Sequence, residues 1–220
     1  SVVPLDRDSA SRLSYEIPEF GLEMPFLPTD FTQVNPQINQ RMIQQAISLL
    51  GVESSDTVID WFCGLGNFTL PLATQAQHVL GIEGSHQLIQ RAKENWAFNQ
   101  ERRNRLGFNA LSEVKYSVKN LFDFSKEDLF DLPKSRLWLW DPPREGAFAL
   151  AKALADWNQL GHSDWVPPEK IVYVSCNPAT LARDAGLLVH QAGYQCTHAG
   201  VMDMFPHTAH VESLAVFVRQ

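Results

Sequence analysis

The stretch from residue 57 to residue 68 reads Thr-Val-Ile-Asp-Trp-Phe-Cys-Gly-Leu-Gly-Asn-Phe. Its first six residues are mostly apolar, which predicts a buried strand. Gly64 and Gly66 follow, and glycines let the chain turn tightly and bring its backbone close to a ligand. Glu83 ends the next predicted strand, a position from which a carboxylate can bind two ribose hydroxyls. The stretch therefore predicts a cofactor site where a strand meets a helix.

Strands and helices alternate along most of the chain. Helices are predicted for residues 36–50, 68–74, 85–99, 147–160 and 178–191. Strands are predicted for residues 57–62, 78–83, 114–118, 136–140, 170–175, 195–198 and 211–218. The alternation predicts an α/β fold with a mostly parallel seven-stranded sheet and helices on both faces. Because no helix separates the last two strands, we expect an antiparallel pair at one edge.

The first thirty residues differ from the rest, because Pro and Gly separate short mixed segments there. This pattern predicts short strands or a hairpin arm. The length of 220 residues, with 45% hydrophobic residues, fits one large domain with a small extension. We therefore divide the chain into an arm, residues 1–30, and a main domain, residues 31–220.

Composition excludes several classes of protein. No apolar run reaches the roughly 20 residues that span a bilayer, and no signal-peptide pattern opens the chain. The three cysteines form no C-x-x-C pair, which predicts a cytoplasmic protein with reduced thiols and without a zinc site. The net charge of −7 argues against a basic nucleic-acid surface spread over the chain, so a local basic strip or a second domain would supply that charge.

The glycine pair leaves the type of cofactor open. A dinucleotide fingerprint needs a third glycine, and Thr69 takes its place. A cofactor with a ribose and no pyrophosphate fits better, and S-adenosylmethionine is the common one. A tight turn without any ligand is the alternative. Asp141 favours a cofactor, because Asp141-Pro142-Pro143-Arg144 ends another strand and the carboxyl ends of parallel strands share one edge.

Cys176 follows the fifth predicted strand and precedes a helix. The positive end of a helix dipole lowers the pKa of a thiol, so this position predicts a thiolate nucleophile. The alternative is a buried cysteine that packs as a small apolar side chain. Glu212 precedes the last strand, where a carboxylate could act as a general base. The nearby His207 and His210 match no zinc pattern, which favours loop hydrogen bonds over a metal.

Five blocks of the chain resemble the uracil-5 RNA methyltransferases, most closely the bacterial 23S ribosomal RNA members. The resemblance runs from about Phe31 to the C-terminus and implies a Rossmann-like class I S-adenosylmethionine-dependent methyltransferase fold. The blocks are Phe31-Thr32-Gln33-Val34-Asn35, Phe62-Cys63-Gly64-Leu65-Gly66-Asn67-Phe68-Thr69-Leu70-Pro71, Asp141-Pro142-Pro143-Arg144, Ser175-Cys176-Asn177-Pro178-Ala179-Thr180-Leu181-Ala182-Arg183-Asp184 and Met204-Phe205-Pro206-His207-Thr208-Ala209-His210-Val211-Glu212-Ser213.

The resemblance also implies a role for each matching residue. Cys176 would attack carbon six of a uracil, Asp141 would orient the ring, and Glu212 would remove the proton from carbon five. The substrate would be a uridine in 23S ribosomal RNA, in a single strand or loop and flipped out of its stack, and the enzyme a cytoplasmic monomer. The residues implied to contact the cofactor or the target base, together with the glycine turn, are Gln33, Phe62, Gly64, Gly66, Asn67, Glu83, Asn120 and Asp141.

The chain departs from this family in places. Asp141-Pro142-Pro143-Arg144 resembles the transfer-RNA members more than the ribosomal ones. The family's N-terminal barrel and the four cysteines of its iron–sulfur cluster are missing, and residues 1–30 resemble the end of its central domain. We therefore expect a fragment, with any cluster in the missing part. A transfer-RNA uracil-5 enzyme and a non-catalytic RNA-binding module stay as alternatives; a cytosine-5 enzyme is disfavoured because it places the cysteine in other motifs.

Overall fold

The computed structural model describes residues 13–160 and 165–220, and its main sheet has seven strands. These strands are β3 (Thr57–Trp61), β4 (His78–Glu83), β5 (Glu113–Val118), β6 (Leu137–Trp140), β7 (Lys170–Ser175), β8 (Tyr194–Met202) and β9 (Glu212–Arg219). They lie in the order β5-β4-β3-β6-β7-β9-β8. Strands β3 to β7 are parallel to one another, and β9 is antiparallel to both β7 and β8. The predicted α/β fold is confirmed, and within the predicted antiparallel pair β8 is the edge strand.

Helices cover both faces of this sheet. The helices are α1 (Pro36–Leu50), α2 (Thr69–Leu72), α3 (His86–Leu106), α4 (Lys126–Leu129), α5 (Phe148–Gln159) and α6 (Pro178–His190). On one face, α1 packs with an N-terminal hairpin against Leu137 and Leu139 of β6. On the opposite face, α5 packs against Trp138 and Trp140, as the alternation of side chains along a strand requires.

Polar caps fix where the helices begin. Asn35 precedes α1, and its side chain accepts a hydrogen bond from the Ile38 amide at 3.2 Å. Ser85 caps α3 in the same way through the Leu88 amide at 3.3 Å. Helix α3 continues beyond its predicted end near residue 99, because the chain turns into the left-handed region only at Gly107, with φ of 77°.

The hairpin consists of β1 (Ser14–Ile17) and β2 (Leu22–Pro25), which pair antiparallel around a short 3-10 helix at Pro18–Phe20. The strands predicted for the arm are therefore confirmed, while residues 1–12 lie outside the described residues. Ile17, Leu22 and Met24 are buried in the same core as α1. The hairpin and α1 thus share one core, and the division of the chain at residue 30 stays a prediction.

Asn99 of α3 anchors the hairpin to the main domain. Its side chain accepts a hydrogen bond from the Glu23 amide at 2.9 Å and donates one to the Glu23 carbonyl at 2.7 Å. Arg103 on the same helix donates to the Phe20 carbonyl.

Within the described residues, no helix is both long enough and apolar enough to cross a membrane.

Replacing Asn99 with Ala should lower the free energy of unfolding by about 1–3 kcal/mol, because both backbone groups of Glu23 lose their partner. Urea denaturation followed by circular dichroism measures this change. Asn104→Ala is the matched control, since Asn104 is exposed on the same helix, and its effect should stay within about 0.5 kcal/mol. Equal effects of the two substitutions would contradict the anchoring role.

Candidate active site

A cavity of about 440 Å³ opens at the carboxyl ends of the parallel strands, within the common size range of ligand pockets. Several of its polar wall residues lie at strand ends: Glu83 ends β4, Asp141 follows β6 and Cys176 follows β7. Most residues that the sequence predicted for the site line this cavity, namely Gln33, Phe62, Gly64, Asn67, Glu83, Asn120, Asp141, Cys176 and Glu212. Gly66 lies behind the wall, where its α-carbon faces Leu70 and Met24.

The turn after β3 has an unusual backbone. Phe62, Gly64 and Gly66 have φ angles of 61°, 54° and 102°, a region that favours glycine and costs a side-chain-bearing residue strain. The turn directs the Gly64 amide to the Glu83 carboxylate at 3.2 Å, and the Ser85 amide binds its other oxygen at 3.0 Å. Two backbone amides thus fix the Glu83 carboxylate at the edge of the cavity.

Thr69 explains why the turn lacks a third glycine. Its buried hydroxyl donates to the buried Asp60 carboxyl at 2.5 Å and thereby ties α2 to β3. Burial raises the pKa of Asp60 to about 8, with the Asp141 and Glu83 charges adding to the rise and the Thr69 hydrogen bond opposing it. Thr69 and Asp60 therefore support the floor under the glycine turn.

Two amide side chains line the cavity in different ways. The Gln33 carbonyl oxygen is buried and has no hydrogen-bond partner in the described residues, so it is free to accept from a bound molecule. The Asn67 oxygen accepts from Tyr15 at 2.8 Å and from Asn39 at 3.0 Å. Asn67 thus joins the hairpin, α1 and the glycine turn.

Phenylalanine rings form the apolar wall beside Glu83. The rings of Phe62 and Phe122 meet edge to face with 6.2 Å between their centres. Asn120 holds this segment, because its side-chain oxygen accepts from the Phe122 amide at 3.1 Å. The wall can accommodate a flat ring, which stacks readily on aromatic side chains.

Strand register places two of the three predicted catalytic residues opposite each other. Ser175 of β7 pairs with Ser213 of β9, and because these strands are antiparallel, the next residue on one side, Cys176, faces Glu212 on the other. Asp141 is held by the sheet as well, since its amide donates to the Trp61 carbonyl at 3.3 Å. The thiol and both carboxylates therefore lie at one end of the cavity.

Burial makes this end of the cavity unfavourable for negative charge. It raises the pKa of Asp141 to about 7. It also raises the pKa of Glu212 to about 8, with a further contribution from Asp141. Carboxyl groups with raised pKa values are strong proton acceptors once ionised, a property that suits a general base.

The expected lowering of the Cys176 pKa is wrong. Burial raises the pKa of this thiol, and the charges of Glu212 and Asp141 raise it further. The side chain of Asn177 caps the helix that follows by accepting from the Ala179 amide at 3.1 Å. Arg144 is the neighbouring cation that lowers the thiol pKa.

Tyr15 and Arg144 line the cavity but were not among the predicted site residues. Tyr15 lies in the hairpin, within the stretch predicted as a separate arm, so no local pattern could reveal it. Arg144 belongs to the Asp141-Pro142-Pro143-Arg144 block, but the proximity of its charge to the thiol depends on the fold.

The exposed His207 and His210 lie between β8 and β9. Across residues 13–160 and 165–220, no three His, Cys, Asp or Glu side chains group as metal ligands.

A family model described as tRNA (Uracil-5-)-methyltransferase matches residues 16–220. The chain belongs to the tRNA (uracil-5-)-methyltransferase family. The predicted resemblance is confirmed. Similar curated proteins include the 23S rRNA (uracil(1939)-C(5))-methyltransferase RlmD of Acidovorax sp. (strain JS42), 58% identical over 94% of this chain, and that of Paracidovorax citrulli (strain AAC00-1), 57% identical over 96%.

The chain spans 45% of the length of each of these two relatives. Among solved structures, the Pyrococcus abyssi tRNA (uracil-54, C5)-methyltransferase in complex with S-adenosyl-L-homocysteine is 26% identical, with a TM-score of 0.68 over 94% of this chain and 44% of that one. M. jannaschii TYW2 in complex with AdoMet is 16% identical, with a TM-score of 0.59 over 95% of this chain and 87% of that one, and shows the fold alone. The predicted Rossmann-like methyltransferase fold is confirmed for this family member.

Replacing Glu212 with Gln should lower the pKa of the Cys176 thiol, because it removes a negative charge that raises it. At about pH 9, where the Glu212 carboxyl group is mostly ionised, iodoacetamide should then alkylate Cys176 at least about threefold faster than in the parent. Mass spectrometry of the labelled peptides measures the rate. Glu127→Gln, at an exposed position of α4, should leave it unchanged, and an unchanged rate in Glu212→Gln would refute the assigned cause.

Proposed function

We propose that this chain carries the chemistry of an S-adenosyl-L-methionine-dependent enzyme that methylates carbon five of a uridine in 23S ribosomal RNA. The observation that carries the proposal is the shared cavity, whose wall includes the Glu83 carboxylate, the Cys176 thiol and the Glu212 carboxyl group. A relative 58% identical is named a 23S rRNA uracil-C5 methyltransferase, and family membership favours the same reaction class.

The identities favour ribosomal over transfer RNA as the substrate. The relatives named for 23S rRNA are 53–58% identical, whereas the solved transfer-RNA enzyme is 26% identical. The Asp141-Pro142-Pro143-Arg144 block is the feature that points the other way. We propose a monomer that acts in the cytoplasm, as expected for an enzyme that modifies ribosomal RNA.

The residues of the cavity fit S-adenosyl-L-methionine. The unpartnered, buried Gln33 oxygen is available to a donor of the ligand, and the oriented Glu83 carboxylate suits ribose hydroxyls. Glu83, Asp141 and Glu212 complement the positive sulfonium group, which would favour their ionised forms. Phe62 and Asn120 complete the proposed cofactor contacts. When bound, the cofactor supplies an electrophilic methyl group for carbon five of the uracil.

Cys176 would act first on the uracil. Carbon five is a poor nucleophile until a thiolate adds to carbon six and converts the ring into an enolate. Arg144 favours the thiolate, because its charge lowers the thiol pKa, and ionised Asp141 would orient the ring through hydrogen bonds. The sulfur–carbon bond at carbon six then holds the ring in place while carbon five gains the methyl group.

Glu212 would complete the reaction by accepting the proton of carbon five. Loss of that proton restores the ring double bond as the sulfur–carbon bond breaks, and the electron pair returns to Cys176 as thiolate. The raised pKa of Glu212, about 8, suits this transfer. Its position opposite Cys176 supports action at the carbon next to the one that carries the sulfur.

The target uridine must leave its stack to reach this cavity, and loops of RNA make this less costly than a duplex does. The net charge of −7 provides little attraction for phosphates. We propose that segments outside this chain, which spans 45% of its relatives' length, supply much of the RNA binding. An iron–sulfur cluster, where present, would also lie there.

Methyl transfer by the full-length protein tests the proposed substrate. Ribosomal RNA and transfer RNA, each prepared unmethylated, are incubated with labelled S-adenosyl-L-methionine and digested to nucleosides. We expect 5-methyluridine from 23S ribosomal RNA. 5-methyluridine from transfer RNA alone would establish the rival substrate, and cofactor binding without any methyl transfer would favour a non-catalytic RNA-binding module.

Cys176→Ala should abolish turnover, with a fall of at least about a thousandfold, because no other group would activate carbon five. Binding of S-adenosyl-L-homocysteine, measured by calorimetry, should change less than about threefold, since the thiol takes no part in holding the cofactor. Cys196→Ala is the matched control, because Cys196 is exposed on β8, and it should keep full activity. Normal turnover by Cys176→Ala would refute the mechanism.

Glu212→Gln should trap the covalent intermediate, because the proton of carbon five then has no acceptor and elimination stalls. The expected sign is a protein–RNA band that survives denaturing electrophoresis and requires S-adenosyl-L-methionine. The double variant that also carries Cys176→Ala should lose the band. Undiminished release of methylated RNA by Glu212→Gln would show that another group is the base.

A further inference from the structure

The loop that follows β6 is bound to the start of α6 by a group of polar side chains that the mechanism does not use. Asn177 donates to the Arg144 carbonyl at 3.0 Å, and the Thr180 hydroxyl shares its single proton between the same carbonyl at 3.2 Å and the Asn177 carbonyl at 3.0 Å. The Arg183 guanidinium donates to the Glu145 carbonyl at 2.8 Å. We refer to Asn177, Thr180, Arg183 and Asp184 as the α6 clamp.

Asp184 is the buried centre of the clamp. One of its oxygens accepts from the Ala147 amide and from the Tyr173 hydroxyl, each at 2.7 Å, and the other accepts from Arg183 at 2.8 Å. A buried carboxylate is costly unless donors surround it, and here three donors do so. The carboxylate thus links the loop, β7 and α6 in one network.

Gly146 shows how closely the loop approaches the clamp. Its φ is 79°, and a β-carbon at this position would lie 2.6 Å from an Asp184 oxygen and 2.8 Å from the Arg183 guanidinium. Both the backbone conformation and the space therefore require glycine. The loop is held against α6 at a distance that leaves no room for a side chain.

Of Asp141 and Arg144, the two charged residues of this loop that line the cavity, the clamp binds only Arg144. Asp141 is held by the sheet through its bond to Trp61, independently of α6. Arg144 has its carbonyl bound by two clamp residues, and its charge lowers the pKa of the Cys176 thiol, which Asp141 and Glu212 raise. The clamp therefore binds the backbone of the thiol's neighbouring cation, whereas the sheet holds the backbone of Asp141.

We propose that the α6 clamp, with Asp184 at its centre, is a positioning device that holds Arg144 beside the Cys176 thiol. The role of the clamp in catalysis rests on the proposed function, since the clamp would act on the activation of the Cys176 thiol. The clamp residues touch neither substrate nor cofactor in this assignment. They act through Arg144.

A double-mutant cycle on the full-length protein tests this role. The alkylation rate of Cys176 by iodoacetamide is measured by peptide mass spectrometry from about pH 6 to about pH 10, with the exposed Cys196 as internal reference. The variants are Asp184→Ala, Asp184→Asn, Arg144→Ala and the double variant Asp184→Ala with Arg144→Ala. Asp156→Asn on α5, whose carboxylate binds Lys152 at the surface, is the control.

Asp184→Ala and Arg144→Ala should each slow Cys176 alkylation at about pH 8 at least about threefold and move the profile to higher pH, and the double variant should be no slower than either. Asp184→Asn should keep most of the parental rate, because its amide oxygen can still accept from Ala147 and Tyr173. Fully additive effects, or a parental profile in folded Asp184→Ala, would overturn the proposal, because a residue needed only for stability would not couple to Arg144.

Thr180→Val keeps the proposal testable if Asp184→Ala fails to fold, because it removes the hydroxyl that contacts the Arg144 and Asn177 carbonyls and leaves the buried network of Asp184 intact. A shift in the same direction supports the clamp, and an unchanged profile overturns it. Methyl transfer is assayed in parallel. If the parent transfers no methyl group to any RNA, the proposed function fails, while the alkylation cycle still decides whether the clamp positions Arg144.

Discussion

The antiparallel pairing of β9 with β7 is the constraint on which the site depends. The match of Ser175 with Ser213 places Cys176 opposite Glu212, at the point where the parallel strands present the cofactor cavity. A shift of one residue would turn the carboxyl group to the other face of the sheet. The register is well specified because β9 is buried along most of its length, between β7 and the edge strand β8. The core thus determines the geometry of the proposed chemistry.

The electrostatics of the cavity fit a cationic ligand better than a free thiolate. Asp141 and Glu212 have pKa values raised to about 7 and about 8, and their charges raise the pKa of the Cys176 thiol. A sulfonium group nearby would reverse part of this effect by favouring negative charge. The thiol would then become reactive chiefly when the cofactor is bound, with Arg144 as the protein's own contribution. Activation of the thiol only after the cofactor has bound would limit its reactions with other electrophiles.

Local patterns in the sequence predict most of the fold. Asn35 and Ser85 cap their helices as expected, and the apolar runs from His78 to Glu83 and from Lys170 to Ser175 match β4 and β7. The short helix α4 was missed because four residues carry little periodicity. Tyr15 could not be predicted for the site, since it reaches Asn67 across 52 positions. The sign of the Cys176 pKa shift was wrong for the same reason: the helix end is visible in the sequence, whereas the facing carboxylates are assembled only by the sheet.

The central claim is that Cys176 bonds to carbon six of the target uracil while carbon five is methylated. RNA that carries 5-fluorouridine at the target tests it most directly. A base can remove hydrogen from carbon five as a proton but cannot remove fluorine in this way, so elimination is blocked and the covalent intermediate persists. Digestion of the complex and mass spectrometry should find a methylated fluorouridine attached to the peptide that contains Cys176. An adduct on Cys63 or Cys196, or methylation without any adduct, would contradict the account.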